Sequence, residues 1–194
     1  MIDFAGVWRE LVARWYPGDP FQPSEAVRQY YETKWRIARE LQPRCILEIG
    51  VRAGYSAFVF MHAAPVGARY LGIDNGLCDA EARREYLAHA RQLLEGLDAW
   101  LWIVDAGSLR VLPGGPDGDL WDLVYVDGDH SYAGCLHDIR CAAMVGRKIF
   151  VDDYDTGEGI RRACAEFLDE GGWASRHIPD GGLAGNLLIT RVGS

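Results

Sequence analysis

Two apolar runs, LVYV and KIFV, each end in acids: Asp127 and Asp129 with His130 in DLVYVDGDHSY, and Asp152 and Asp153 in KIFVDDYD. Carboxylates gathered where buried strands surface repel one another and lose hydration, so they are stable only beside something positive. If the two runs lie near each other, Asp127, Asp152 and Asp153 converge on one point. Three oxygen donors, with no thiolate and no obligatory imidazole, suit a hard divalent cation, Mg2+ foremost, with water or substrate oxygens completing an octahedron. The plain alternatives are a helix N-cap for Asp127 and solvated loop acids for the other two.

A second constellation lies upstream in LEIGVRAGYS, where Gly50 and Gly54 are spaced GxxxG. A dinucleotide fold needs a further glycine between them so that the backbone can close on a pyrophosphate. Arg52 and Ala53 stand there instead, and the carboxylate of Glu48 precedes the turn, which suits a ligand bearing an ammonium better than one bearing phosphates. Asp74 ends the next apolar run, a place where acids accept hydrogen bonds from a ribose diol. Asp105 ends the one after, in VDAGSL. Such a series of acids is expected around an adenosine with an amino-acid tail and no phosphate.

The elements that position these residues alternate. RCILEIG, RYLGIDNG, AWLWIVDAG, DLVYVDGD and RKIFVDD read as strands, and SAFVFMHAA, DAEARREYLAHARQLLEGL, SYAGCLHDIRCAAMV and GEGIRRACAEFLDEGG as helices. Two-sided apolar strands alternating with helices predict a doubly wound, mainly parallel α/β sheet whose ligands bind at the strands' carboxyl ends. WASRHI and NLLITRV, joined by PDGGLAG, read as a C-terminal antiparallel hairpin that completes seven strands. We read residues 1–194 as a single domain, with an N-terminal helical or lid region over 1–43 and a core over 44–194.

The motifs LEIGVRAGYSA, YLGIDNG, DLVYVDGDHSY and FVDDYD, in this order, resemble those of the class I S-adenosylmethionine-dependent methyltransferases. The last two resemble, more narrowly, the metal-dependent O-methyltransferases of the macrocin and aminocoumarin-sugar type. The resemblance runs from Cys45 to the C-terminus. It implies a Rossmann-like core in which Glu48 and Gly50 hold the methionine moiety, Asp74 the ribose, and Asp105 with Ala106 and Ser108 the adenine edge. Gly54, Ser56 and Asp127 complete the implied cofactor-binding set. It also assigns Asp127, Asp152 and Asp153 as ligands of Mg2+ or another hard dication.

The implied reaction is methyl transfer from S-adenosylmethionine to a hydroxyl of a small molecule, a sugar or phenol of natural-product biosynthesis. A base must take the hydroxyl proton, and Asp129 and His130 are both at hand. His130 has the better-matched ordinary pKa, while Asp129 would serve if burial raised its own. Three alternatives stay open: a metal-independent N- or O-methyltransferase, a nicotinamide-dependent oxidoreductase, disfavoured by the missing glycine, and a non-catalytic cofactor-binding protein.

Upstream of the first strand, Trp8, Trp15, Tyr16, Phe21, Tyr30, Tyr31 and Trp35 are densely placed. Packing of a first helix on the core or on a second subunit explains them, and so would a lid in which QYYETKW presents Tyr30, Tyr31 and Lys34 to the cleft. This region is shorter than the lead-in of the sugar O-methyltransferases.

The net charge of -8, without a run of Lys or Arg, argues against nucleic acid or an anionic membrane as partner and leaves a small hydroxylated acceptor. The five cysteines, Cys45, Cys78, Cys135, Cys141 and Cys164, have no zinc-type spacing and read as reduced, buried thiols. With no signal-peptide apolar region in the N-terminus, a cytoplasmic protein is expected.

Overall fold

The computed structural model of the chain describes residues 3–74, 80–103, 112–181 and 183–193. Two helices lead, α1 (Phe4–Ala13) and α2 (Glu25–Leu41), followed by β1 (Cys45–Ile49), α3 (Tyr55–Ala63), β2 (Arg69–Asp74), α4 (Ala80–Leu93) and β3 (Ala99–Ile103). A 3-10 turn (Pro116–Gly118) precedes β4 (Leu123–Val126), α5 (Tyr132–Val145), β5 (Lys148–Val151), α6 (Glu158–Asp169), β6 (Trp173–Ile178) and β7 (Asn186–Arg191). The expected sheet is present: seven strands in the order β3-β2-β1-β4-β5-β7-β6. β1 to β5 run parallel, and β7 is antiparallel to both β5 and β6. The hairpin therefore inserts its second strand against β5 and leaves its first at the edge.

Alternation along the buried strands divides the core into two layers. Ile46, Tyr70, Tyr125 and Phe150 face α1, α2 and α3, where Phe58, Val59 and Phe60 pack; Leu47, Ile49, Val124 and Ile149 face α5 and α6. Each such fully buried large side chain contributes about 1.5–3 kcal/mol, so the inner strands have no polar face to spare. β1 is buried at every position, which makes Glu48 in its middle conspicuous.

Local signals fix where the helices begin. Asp3, Ser24 and Ser131 each accept a hydrogen bond from the backbone three residues on, capping α1, α2 and α5. The N-terminal aromatics pack on the chain's own core: Trp15 stacks on Tyr55 of α3 with ring centroids 4.0 Å apart, and Tyr31 meets Trp8, Trp15 and Tyr55. The effect is to seat α2 on one face of the sheet, with Tyr30 and Lys34 reaching Asp152 at the carboxyl end of β5. Among the described residues no helix is long and apolar enough to cross a membrane.

Candidate active site

The sheet order reverses between β1 and β4, and the chain's acids meet at that switch point. Gly50, just beyond β1, has φ +87°, and a Cβ there would lie 2.1 Å from the carbonyl oxygen of Asp127. Only glycine lets the two strand ends approach so closely. The turn that follows is tied down by Asp74, whose Oδ2 accepts from the amides of Val51 (3.0 Å) and Arg52 (3.2 Å). Those amides, which in a dinucleotide site would face phosphate, are thus already turned to a carboxylate of the chain.

Arg52, itself at φ +48°, reaches back to Asp19 at 2.7 Å and to the Tyr86 hydroxyl at 3.2 Å. The loop between α1 and α2 is thereby fastened over the glycine turn. Gly54 forms the left-handed N-cap of α3, and its Cβ position is 3.0 Å from Ala90 of α4; a helix contact already accounts for this glycine. Ser56 lies in the first turn of α3 and is buried. Asp105, Ala106 and Ser108 lie outside the described residues.

Glu48 differs from the expectation of an open partner for an ammonium. It is 1% exposed, and its Oε2 accepts from the Tyr70 hydroxyl at 2.7 Å. Tyr70 reaches it by lying over Gly72, whose missing side chain leaves the path clear. Burial pushes the Glu48 carboxyl well above its ordinary range, so a neutral acid in a hydrogen bond is the form the core favours.

At the ends of β4 and β5 the expected acids separate into two groups. His130 stands between Asp127 and Asp153, with Nε2 3.3 Å from Asp127 Oδ1 and Nδ1 3.2 Å from Asp153 Oδ2. One ligand-type atom from each of the three lies within 4.8 Å of the others. Asp152 is not among them: its Oδ1 is 3.1 Å from the ammonium of Lys34, and its Oδ2 accepts from the hydroxyl of Tyr30. The divergence of adjacent aspartates has a backbone cause, since Asp153 takes φ +54°, and this turns its side chain toward the β4 loop while Asp152 points in under α2. Asp is one of the few residue types that tolerate that conformation.

The two base candidates also part. Asp129 accepts from the Ser131 amide at 2.8 Å and lies against Gly134, ordering the first turn of α5. His130 alone joins the carboxylate group. Its pKa is raised to about 9, first by the hydrogen bond to Asp127 and further by the charges of Asp127, Asp153 and Asp152. Burial, then the charge of Asp152, raises both Asp127 and Asp153. Carboxylates buried beside one another in this way are what a bound cation stabilises.

Donor chemistry fits a dication, with one change from the sequence expectation. The atoms brought together are two carboxylates and an imidazole, not three carboxylates. Tyr30 and Lys34, expected either to pack on the core or to form part of a lid, instead hold Asp152. The overlooked signal was periodic: Lys34 falls on the stripe of α2 that buries Tyr31, Ile37 and Ala38. A charged residue on such a stripe needs a buried partner.

Residues 47–154, more than half of the chain, match the family described as Methyltransferase domain. The chain belongs to that family. Catechol O-methyltransferase of Mus musculus is 30% identical over 130 residues, 57% of this chain and 46% of that protein. The chain thus spans about half the length of this curated relative. The O-methyltransferase TomG of Streptomyces achromogenes, described as involved in Tomaymycin synthesis and solved in complex with SAM, superposes with a TM-score of 0.66 at 19% identity, over 100% of this chain and 92% of that one. The SAH-bound methyltransferase PaMTH1 of Podospora anserina gives 0.70 at 18% identity, over 98% and 88%. These likenesses give the chain the Rossmann-like methyltransferase fold. The segment that matches the methyltransferase-domain family holds Glu48, Gly50, Asp74, Asp127, His130, Asp152 and Asp153; Tyr30 and Lys34 precede it.

Proposed function

We propose that this protein transfers a methyl group from S-adenosylmethionine to a hydroxyl of a small phenolic or sugar acceptor, assisted by a divalent cation. The observation that carries the reading is the Asp127–His130–Asp153 cluster beside the Gly50 turn, at the switch point of a methyltransferase-family sheet. The catechol O-methyltransferase relative and the SAM- and SAH-bound neighbours support the cofactor and the O-methyl class. Occupation of the turn amides by Asp74 speaks against a nicotinamide dinucleotide.

Gly50 and Asp74 would shape the cofactor's seat at the ends of β1 and β2, and Asp127 would border both that seat and the acceptor. S-adenosylmethionine supplies a methyl group on a sulfonium, ready for in-line displacement. A divalent ion held by Asp127, Asp153 and His130 would stabilise the acceptor's developing alkoxide or phenolate. The chain's part is orientation and proton handling. His130 Nε2 lies 3.3 Å from Asp127 Oδ1, so without an ion either atom can hold a proton, and a bound ion would displace it. The Asp19–Arg52 ion pair and the stacked Trp15 and Tyr55 hold the α1–α2 segment against this side of the site.

Titration calorimetry with S-adenosylhomocysteine, without and with Mg2+ or Mn2+, tests the cofactor. Radiolabelled methyl transfer to a panel of catechols, phenols and sugars, with and without EDTA, tests the reaction. Micromolar binding and chelator-sensitive transfer are expected, with His130→Ala lowering kcat by about 10^2-fold or more. No binding of S-adenosylhomocysteine refutes the methyltransferase reading, and full activity in excess EDTA refutes its metal component.

A further inference from the structure

Lys34 is the most deeply buried charged side chain of the site: it is 0% exposed, and its Nζ lies 3.1 Å from the Tyr30 ring centroid and 5.4 Å from that of Tyr125. With Tyr30, one helical turn earlier, it takes both oxygens of Asp152. Nothing else supplies them among the described residues. Asn186, which the β5–β7 register brings alongside Asp152, is fully buried with both amide atoms unpartnered. Lys34 and Lys148 are the only lysines in a chain with 20 basic residues. Enclosed by the rings of Tyr30 and Tyr125, the Lys34 ammonium acts on Asp152 as a compact point charge.

We propose that Lys34 determines the cation specificity of the site: its ammonium is the resident counter-ion of Asp152, and a divalent cation is bound by Asp127, His130 and Asp153 without that carboxylate. This deepens the metal-assisted reading above and rests on it. A further buried carboxylate, on the loop before β7, has an oxygen left without a donor among the described residues. Asp180 is 3% exposed; its Oδ1 accepts from the amides of Leu183 and Ala184, while its Oδ2 has no hydrogen-bond partner among the described residues. With an imidazole in place of a third carboxylate, the donor set moves from the preference of Mg2+ toward ions that accept nitrogen, such as Mn2+ or Co2+. As a positioning residue, Lys34 thereby trades affinity for selectivity.

The test is Mn2+ binding to the full chain, followed by the electron paramagnetic resonance of free Mn2+, with Mg2+ as competitor. S-adenosylhomocysteine binding is measured on the same preparations. Wild type is expected to bind Mn2+ in preference to Mg2+. Asp153→Asn should weaken binding by about tenfold or more and Asp152→Asn by less than about threefold, while Lys34→Met should tighten it by about tenfold by releasing Asp152 as a ligand. The proposal is overturned if wild type binds no Mn2+, if Mg2+ competes on equal footing, if Asp152→Asn is as damaging as Asp153→Asn, or if Lys34→Met binds no more tightly than wild type. Should Lys34→Met not fold, the two aspartate variants decide alone. Loss of S-adenosylhomocysteine binding in wild type would instead count against the proposed function, and the Mn2+ series reads independently of it.

Discussion

His130 and Asp152 show how little of a side chain's role is carried by its type alone. Both lie within four residues of a strand end, yet one is drawn between two carboxylates and the other is sealed under a helix. Asp138 of α5 extends the point to a group outside the cluster. Burial raises its carboxyl to about 6, against the opposing effects of the Asp129 amide, which donates to it, and of His137. A carboxyl whose folded pKa is raised adds stability that is present below its unfolded value, near 4, and is lost as pH rises through about 6. Asp138→Asn keeps an acceptor for the Asp129 amide and removes the ionisation. The Tm of wild type should therefore fall relative to that of Asp138→Asn between pH 4 and pH 7; parallel Tm curves over that window would contradict the assignment.

Among the elements, the turn after β1 carries the greatest geometric demand. Gly50 combines a left-handed backbone with a neighbouring carbonyl 2.1 Å from where a Cβ would be, whereas Gly67 has φ +81° and open space around it. The pair separates backbone strain from close approach. Gly67→Ala should cost about 1 kcal/mol, the price of the conformation alone, while Gly50→Ala should cost at least about 3 kcal/mol and abolish S-adenosylhomocysteine binding, because the β1 and β4 ends must move apart. Urea midpoints measure both, and equal losses would remove the close-approach argument. α2 is the second element on which the site depends. Its cap at Ser24 and its apolar stripe are ordinary, but that stripe delivers Lys34 to Asp152.

For the molecule as a whole, the site draws on β1, β2, β4, β5 and α2 together, so a ligand there should stabilise the fold globally. At about 100 times its Kd, S-adenosylhomocysteine should add about 2.7 kcal/mol and raise Tm by several degrees. A thermal scan against ligand concentration checks this; binding with no rise in Tm would place the ligand on a locally unfolding segment and not at the switch point. The doubly wound sheet was legible in advance because strand and helix periods are local properties of the chain, and β1 to β5 each announce themselves by a continuous apolar run. The glycine turn and the acids at the strand ends were legible for the same reason. Pairing among those acids was not.

Sequence by itself determined the alternation of strands and helices, the carboxyl edge on which the acids collect, and the turn that only glycine at position 50 permits. The tertiary structure decided which atoms meet: Lys34 claims Asp152 across 118 residues of chain, and His130, not Asp152, joins Asp127 and Asp153. The physical reason is that periodicity fixes only the face on which a strand residue lies. Beyond the strand end, one positive φ at Asp153 and one buried ammonium on a distant helix set the direction of each carboxylate, and neither is a property of the local sequence.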